Sequence, residues 1–234
     1  MKILSFLICI PIFHFGQLSP KVNKLYQRLS ESDKVESQQV GDFFGESPVY
    51  RCFLDISDIA TDKELEYMAY NGNPVVKTYA SKSIFRRKLK SLDNLFDYYL
   101  KNNDSVSILE GCIGSDSFLA DELYKYAFRE KMDIDNMKWR EKHQDSIIKS
   151  GGKVIDEIYE KQQPVWKEKE IDSLLVQFEY AILNDKSSPK HLVEIVAEYS
   201  FYTDRKIPYF QKLIYFDEKY NSEMIKQYME FCSK

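Results

Sequence analysis

The stretch from Ala60 to Arg87, A-T-D-K-E-L-E-Y-M-A-Y-N-G-N-P-V-V-K-T-Y-A-S-K-S-I-F-R-R, admits little besides two short helices folded against each other. Thr61 and Glu64 have the spacing of a capping box: the Thr61 hydroxyl accepts from the Glu64 backbone N–H, and the Glu64 carboxylate reaches back to the cap N–H. Leu65, Met68 and Ala69 follow at helical spacing. Asn71-Gly72 ends this helix, with Gly suited to a left-handed C-terminal cap. Asn73-Pro74 opens the next: Asn is a favoured N-cap, and Pro at the first helical position lacks only a donor that would be unpaired anyway. Val76, Ala80 and Ile84 then share one face. A two-residue break makes the two helices adjacent and antiparallel.

The same grammar recurs along the chain. Pro20, Pro48, Pro74 and Pro189 each follow Ser or Asn at an expected helix start. Helices are expected over Leu18–Ser30, from Ser47-Pro48 through Ile59, over Leu92–Leu100, and over Phe118–Phe128. The C-terminal third carries an apolar stripe at Ile171, Leu174, Leu175, Phe178 and Ile182. Shorter helices follow around Leu192–Tyr199, Ile207–Ile214 and Ile225–Cys232. Glu31–Glu46, polar and holding Gly41 and Gly45, reads as a loop. Val106, Leu109, Cys112 and Ile113 read as another helix, with Gly111 and Gly114 either permitting close helix contact or ending it. Residues 130–166 read as an irregular, charged helical excursion closed by Gly151-Gly152 and a short Val154–Tyr159 helix. With no strand alternation recognised, the expectation is an all-α chain.

The Ala60–Arg87 hairpin resembles a HEAT-type repeat. Leu65 and Met68 stand on the first helix and Asn73-Pro74 at the turn. Val76-Lys77 stands where Val-Arg is usual, with Ala80 and Ile84 on the inner face. Lys77 in place of Arg loses the planar hydrogen-bonding fork. Val106 lies 30 residues beyond Val76, near the period of a short helical repeat, and suggests a second unit. The resemblance implies antiparallel hairpins stacked as a short α-solenoid; an irregular compact helical bundle is the alternative. Thr61, Glu64, Asn73, Pro74, Val76, Lys77 and Ala80 would be structural signature residues of that repeat.

The first sixteen residues read as a secretory leader. Lys2 precedes an apolar run from Ile3 to Phe13 that is too short to span a bilayer, and cleavage is expected between Gly16 and Gln17. The ending F-H-F-G-Q resembles leaders of Bacteroidota envelope proteins. An uncleaved anchor is the competing reading. Residues 17–234 would then form a single exported domain, in the periplasm or outside the cell, with no further membrane span. Cys52, Cys112 and Cys232 remain in it, enough for one disulfide, for which Cys52 and Cys112 are the better pair; the simpler reading is three small buried hydrophobes.

The formal charge of -4 on 234 residues offers no basic face for nucleic acid. His143 and His191 lack metal-ligand spacing, and Gly-x-Ser-x-Gly, His-Glu-x-x-His and phosphate-loop patterns are absent. No catalytic, cofactor or metal residues are assigned. The leading expectation is a non-catalytic envelope protein that binds another protein, with 130–166 as the partner-binding region. The alternatives are an envelope enzyme or enzyme accessory, marked by perturbed carboxylates or His143 in a deep pocket, and an inhibitor of a basic partner toxin.

Overall fold

The computed structural model describes residues 18–41, 45–151 and 164–234. The expected leader and the expected Val154–Tyr159 helix lie outside them. In chain order the elements are α1 (Pro20–Ser30), β1 (Lys34–Val40), β2 (Gly45–Glu46), α2 (Pro48–Ile59), α3 (Asp62–Asn71), α4 (Pro74–Arg86) and α5 (Leu92–Lys101). They continue with β3 (Ser105–Gly111), β4 (Ile113–Phe118), α6 (Leu119–Lys149), α7 (Glu168–Asn184), α8 (Lys190–Tyr202), a 3₁₀ turn (Phe210–Lys212), α9 (Leu213–Tyr220) and α10 (Glu223–Ser233).

The all-α expectation is overturned by a four-stranded mixed sheet of order β2-β1-β3-β4. β1 pairs β3 in parallel, with Lys34 opposite Ser107 and Glu36 opposite Leu109, and antiparallel pairs add β2 and β4 at the edges. The expected loop is therefore β1 and β2, and the expected helix at Val106–Ile113 is a β-hairpin. In β3, Val106 and Ile108 are buried while Ser105 and Ser107 are exposed. That is the period of two of a half-buried strand. Gly111 takes φ +61° in the two-residue turn between Glu110 and Ile113, a conformation open to Gly and poor for other residues.

The α3–α4 hairpin forms as its residues dictate. The Glu64 N–H donates to Thr61 Oγ1 (3.3 Å) and the Thr61 N–H to Glu64 Oε2 (2.8 Å), completing the capping box. Asn73 Oδ1 accepts from the Val76 N–H (2.9 Å), while Asn73 Nδ2 donates to the Ser30 carbonyl at the end of α1 (3.0 Å). Gly72 is not left-handed: its φ is -70°. It is required for space, since a Cβ there would stand 2.5 Å from Val76 Cγ1 and 2.8 Å from the Met68 carbonyl.

α4 is buried all round rather than on one inner face, with ten of its thirteen residues in the core. It packs against α1, α2, α3, α5, α6, β1 and β3. Ala80 is in the core, and Lys77, buried beside it, places Nζ 2.8 Å from Asp104 Oδ2. This central helix and the sheet replace the expected solenoid. A second layer, α7 to α10, buries Ile171, Leu175, Phe178 and Ile182, with Phe178 stacked on Phe96 at 3.8 Å. Arg205 closes it from the loop after α8, in a bidentate pair with Glu179, which is fully buried and also accepts from the Tyr124 hydroxyl (3.2 Å).

α6 runs unbroken through the point where an irregular excursion was expected. Its first half is core; on its outer half Met137, Trp139 and Ile148 are exposed. Trp166 returns the chain to the body, donating from its backbone N–H to Glu130 (2.8 Å) and from its indole N–H to the Phe85 carbonyl (3.1 Å). Among the described residues no helix is long and apolar enough to cross a membrane.

Candidate functional site

The polar chemistry of the fold converges where β1 and β3 end. Between Glu36 and Val40 the β1 strand carries Ser37, Gln38 and Gln39 opposite the single residue Glu110 of β3. This bulge opens the parallel pair, and bulges of this kind favour the neighbourhood of functional sites. A cavity of about 450 Å³ lies against it, lined by β1, by Glu110 and Gly111 of β3, by Tyr50 of α2, Tyr79 and Lys82 of α4, and Glu122, Tyr126 and Arg129 of α6. Its size is that of a small-molecule site, and its position, at the carboxyl ends of parallel strands, is where open α/β sheets commonly hold ligands.

Lys82 stands on the wall of this cavity. Its Nζ sits 5.2 Å from the Tyr126 ring centroid, 5.5 Å from Tyr50 and 5.8 Å from Phe53. It makes no hydrogen bond or ion pair among the described residues. Ring faces attract the charge of an ammonium but give its three N–H groups no lone pair. Burial lowers the Lys82 pKa to about 8; Arg86 and Arg129 add to the fall, and Glu110 and Glu122 oppose it. At pH 7 roughly one amine in ten is then uncharged.

The walls are held by interactions of their own. The Tyr79 hydroxyl donates to the Glu36 carbonyl and accepts from the Glu36 N–H, both at 2.8 Å, and its ring stacks on Phe53 at 4.6 Å. Burial pushes the Tyr79 and Tyr126 hydroxyls well above the usual phenol range, so both stay protonated. Ser47 caps α2 by accepting from the Tyr50 N–H (2.9 Å) and donates to Glu36 Oε2 (2.6 Å). Glu122 Oε1 accepts from Ser117 Oγ (2.6 Å) and from Lys125 Nζ (2.9 Å), and Lys125 also donates to Ser117 (2.9 Å). Arg129 pairs with Glu110 at 3.0 Å. Three carboxylates, Glu36, Glu110 and Glu122, thus face two cations, Lys82 and Arg129, in one cavity.

A second polar cluster joins α6 to α8. Asp121 Oδ2 lies 3.4 Å from His191 Nε2, and Phe118 stacks on the His191 ring at 4.2 Å. Asp121 Oδ1, His191 Nε2 and Asn103 Nδ2 are buried without a hydrogen-bond partner. Burial raises the Asp121 carboxyl to about 7, and burial with the nearby Lys125 lowers His191.

The structure separates the residues singled out from sequence from this site. Thr61, Glu64, Asn73, Pro74 and Val76 build the α3–α4 turn, and Lys77 and Ala80 are packed within α4. Cys52 is a buried thiol, 3.4 Å from the Leu25 carbonyl, and Cys112 is exposed at the β3–β4 turn. Both are free, so the suggested bridge is not made. His143 sits on the outer half of α6, stacked on Trp139 at 4.6 Å, away from the cavity described above. Sequence reading missed Lys82 with its Tyr50 and Tyr126 neighbours; α4 also carries Lys77 and Arg86, so nothing in its own sequence marked Lys82 out. Comparison of the chain with protein-family models, curated proteins and solved structures finds no match, so the reading of the cavity rests on its own geometry.

Proposed function

We propose that the chain binds a small, neutral, polyhydroxylated molecule in the cavity at the ends of β1 and β3. The observation that carries this reading is Lys82, an ammonium caged by rings in a cavity of ligand size and lacking any hydrogen-bond acceptor among the described residues. A ligand oxygen would supply the missing lone pair. Glu110, Glu122 and the side-chain amides of Gln38 and Gln39 at the rim accept from and donate to hydroxyl groups, and the tyrosine faces take up C–H surface. With Lys125 paired to Glu122 and Arg129 to Glu110, the charges around the cavity balance, which favours a neutral ligand over an anionic one. Export of the chain, expected from its N-terminal residues, would place this cavity in the periplasm or outside the cell.

Calorimetric titration of the full chain with neutral polyols, aldoses and the matching sugar acids tests it. Saturable binding of neutral members, weakened by Glu110→Ala, is the expected result. Tighter binding of the acids, or no saturable heat with any polyol, would refute it.

A second reading, that the protein binds another protein, is favoured by one observation: Met137, Trp139 and Ile148 are exposed on the outer half of α6. Large apolar and aromatic groups of this kind are typical interface anchors. A partner crosslinked to the native protein and lost on Trp139→Ala would support that reading; retention of the partner would count against α6 as its seat.

A further inference from the structure

We propose that Lys82 is a carbonyl-capturing amine, condensing with an aldehyde or ketone group of the molecule held in the cavity to form an imine. This rests on the polyol reading above and names the reactive member of that class, an open-chain hydroxyaldehyde or hydroxyketone.

The geometry supplies what such a reaction needs. The amine must be uncommitted: among the described residues Lys82 Nζ is bound to no carboxylate, unlike the neighbouring Lys125, which is tied to Glu122 and Ser117. It must be confined in a cavity with room for a small reactant, and 450 Å³ provides it. It must also be available uncharged near neutrality, which desolvation and neighbouring cations achieve for lysine nucleophiles. Burial with Arg86 and Arg129 does this here, against Glu110 and Glu122. Burial pushes the Tyr126 hydroxyl beside the amine well above the usual phenol range, so it stays a neutral phenol.

The step balances without an outside oxidant or reductant. The Lys82 nitrogen lone pair attacks the carbonyl carbon, a C–N bond forms, and the carbonyl oxygen takes up a proton to give a carbinolamine. Loss of the nitrogen proton and of that hydroxyl as water leaves the C=N bond. Glu122, held by Ser117 and Lys125 on the cavity wall, is assigned to pass these protons as a proton-relay group.

Glycolaldehyde with sodium cyanoborohydride tests the proposal on the full chain at pH 7. Hydride reduces any imine to a stable secondary amine, and peptide mass mapping reads the rate at every lysine. An ordinary lysine near 10.5 is uncharged only about once in 3,000 molecules at this pH, against roughly one in ten for Lys82. The weaker base is the poorer nucleophile, so the expected preference is at least tenfold over the median lysine rather than the full ratio. The Lys82 rate should also level off above about pH 8, while other lysines continue to gain. A Lys82 rate at or below the median overturns the proposal. Because the wild-type chain carries its own reference lysines, the result does not depend on a Lys82 variant folding. Erythritol, a polyol without a carbonyl, separates the two readings. Saturable erythritol binding with no preference for Lys82 overturns imine formation and leaves the pocket reading intact, whereas absence of both overturns both. Selective slowing of Lys82 by erythritol places the reaction in the cavity.

Discussion

Replacing Glu64 by Gln should destabilise the fold in a manner that depends on pH. Glu64 Oε1 accepts from the Ser19 N–H at the start of α1 (2.7 Å), and Oε2 accepts from the Thr61 N–H and hydroxyl, both at 2.8 Å. Although burial raises a carboxyl pKa, these bonds hold Glu64 at about 2 against an ordinary 4.5. The shift corresponds to roughly 3 kcal/mol, and solvent screening at the edge of the site leaves about 1.5–2 kcal/mol. A depressed carboxyl contributes fully above its unfolded pKa of 4.5 and loses its contribution as pH falls through about 2. At pH 3 about two fifths remains, so the charge-dependent part of the difference between wild type and Glu64→Gln should shrink by about 1 kcal/mol from pH 7 to pH 3. A Gln amide has a single acceptor oxygen and would turn its NH₂ toward one of these donors, adding a penalty that does not vary with pH. Urea denaturation of both proteins at pH 7, 4 and 3, followed by far-ultraviolet circular dichroism, measures the double difference. A difference constant within a few tenths of a kcal/mol across that range would show that the carboxylate charge is not what ties α1 to α3.

Gly72→Ala should cost about 1–3 kcal/mol in thermal or urea melts, because its Cβ would overlap Val76 and the Met68 carbonyl; a neutral outcome would mean that the α3–α4 turn relaxes freely. Glu179→Ala should cost about 3–5 kcal/mol by leaving Arg205 without its partner under the second layer, and a loss below 1 kcal/mol would refute that role. Asp121→Asn should be most favourable at alkaline pH. The folded carboxyl keeps its proton to about 7 and the unfolded one releases it near 3.8, so wild-type stability falls as pH rises between the two. The variant should therefore gain up to about 3–4 kcal/mol relative to wild type from pH 4 to pH 8, and a gap that narrows over that range would reverse the assignment.

Local chemistry was readable where it is self-contained. Thr61 with Glu64, Asn73 with Pro74, and Ser47 with Pro48 each specify a helix start through bonds to residues at most three positions away, and each start is where those residues put it. β3 was misread because Val106, Leu109 and Ile113 also fall near helical spacing, although Ser105-Val106-Ser107-Ile108 alternates. β1 gave little warning because much of its polar sequence, Glu36 to Gln39, lines a cavity rather than the core. The helix through 130–149 seemed irregular for a related reason: its outer half faces solvent and no longer needs an apolar stripe. Lys82 was invisible because what distinguishes it is the company of Tyr50 and Tyr126, 32 and 44 positions away, which only the fold assembles.

The parallel pairing of β1 with β3 also governs the order in which the molecule can be made. Lys34 and Ser107 meet across a separation of 73 residues, and closing so long a loop costs on the order of 4 kcal/mol before any ladder bond forms. The α3–α4 hairpin and the β3–β4 hairpin close over short spans and can form first. The seam between β1 and β3 is then a late event, after α2 to α5 have shortened the gap. Until it closes, β3 presents an unpaired edge to other chains. The cavity lies on that seam, so a chain able to hold a ligand there is one that has finished folding, and such a ligand would favour completion over edge-to-edge association.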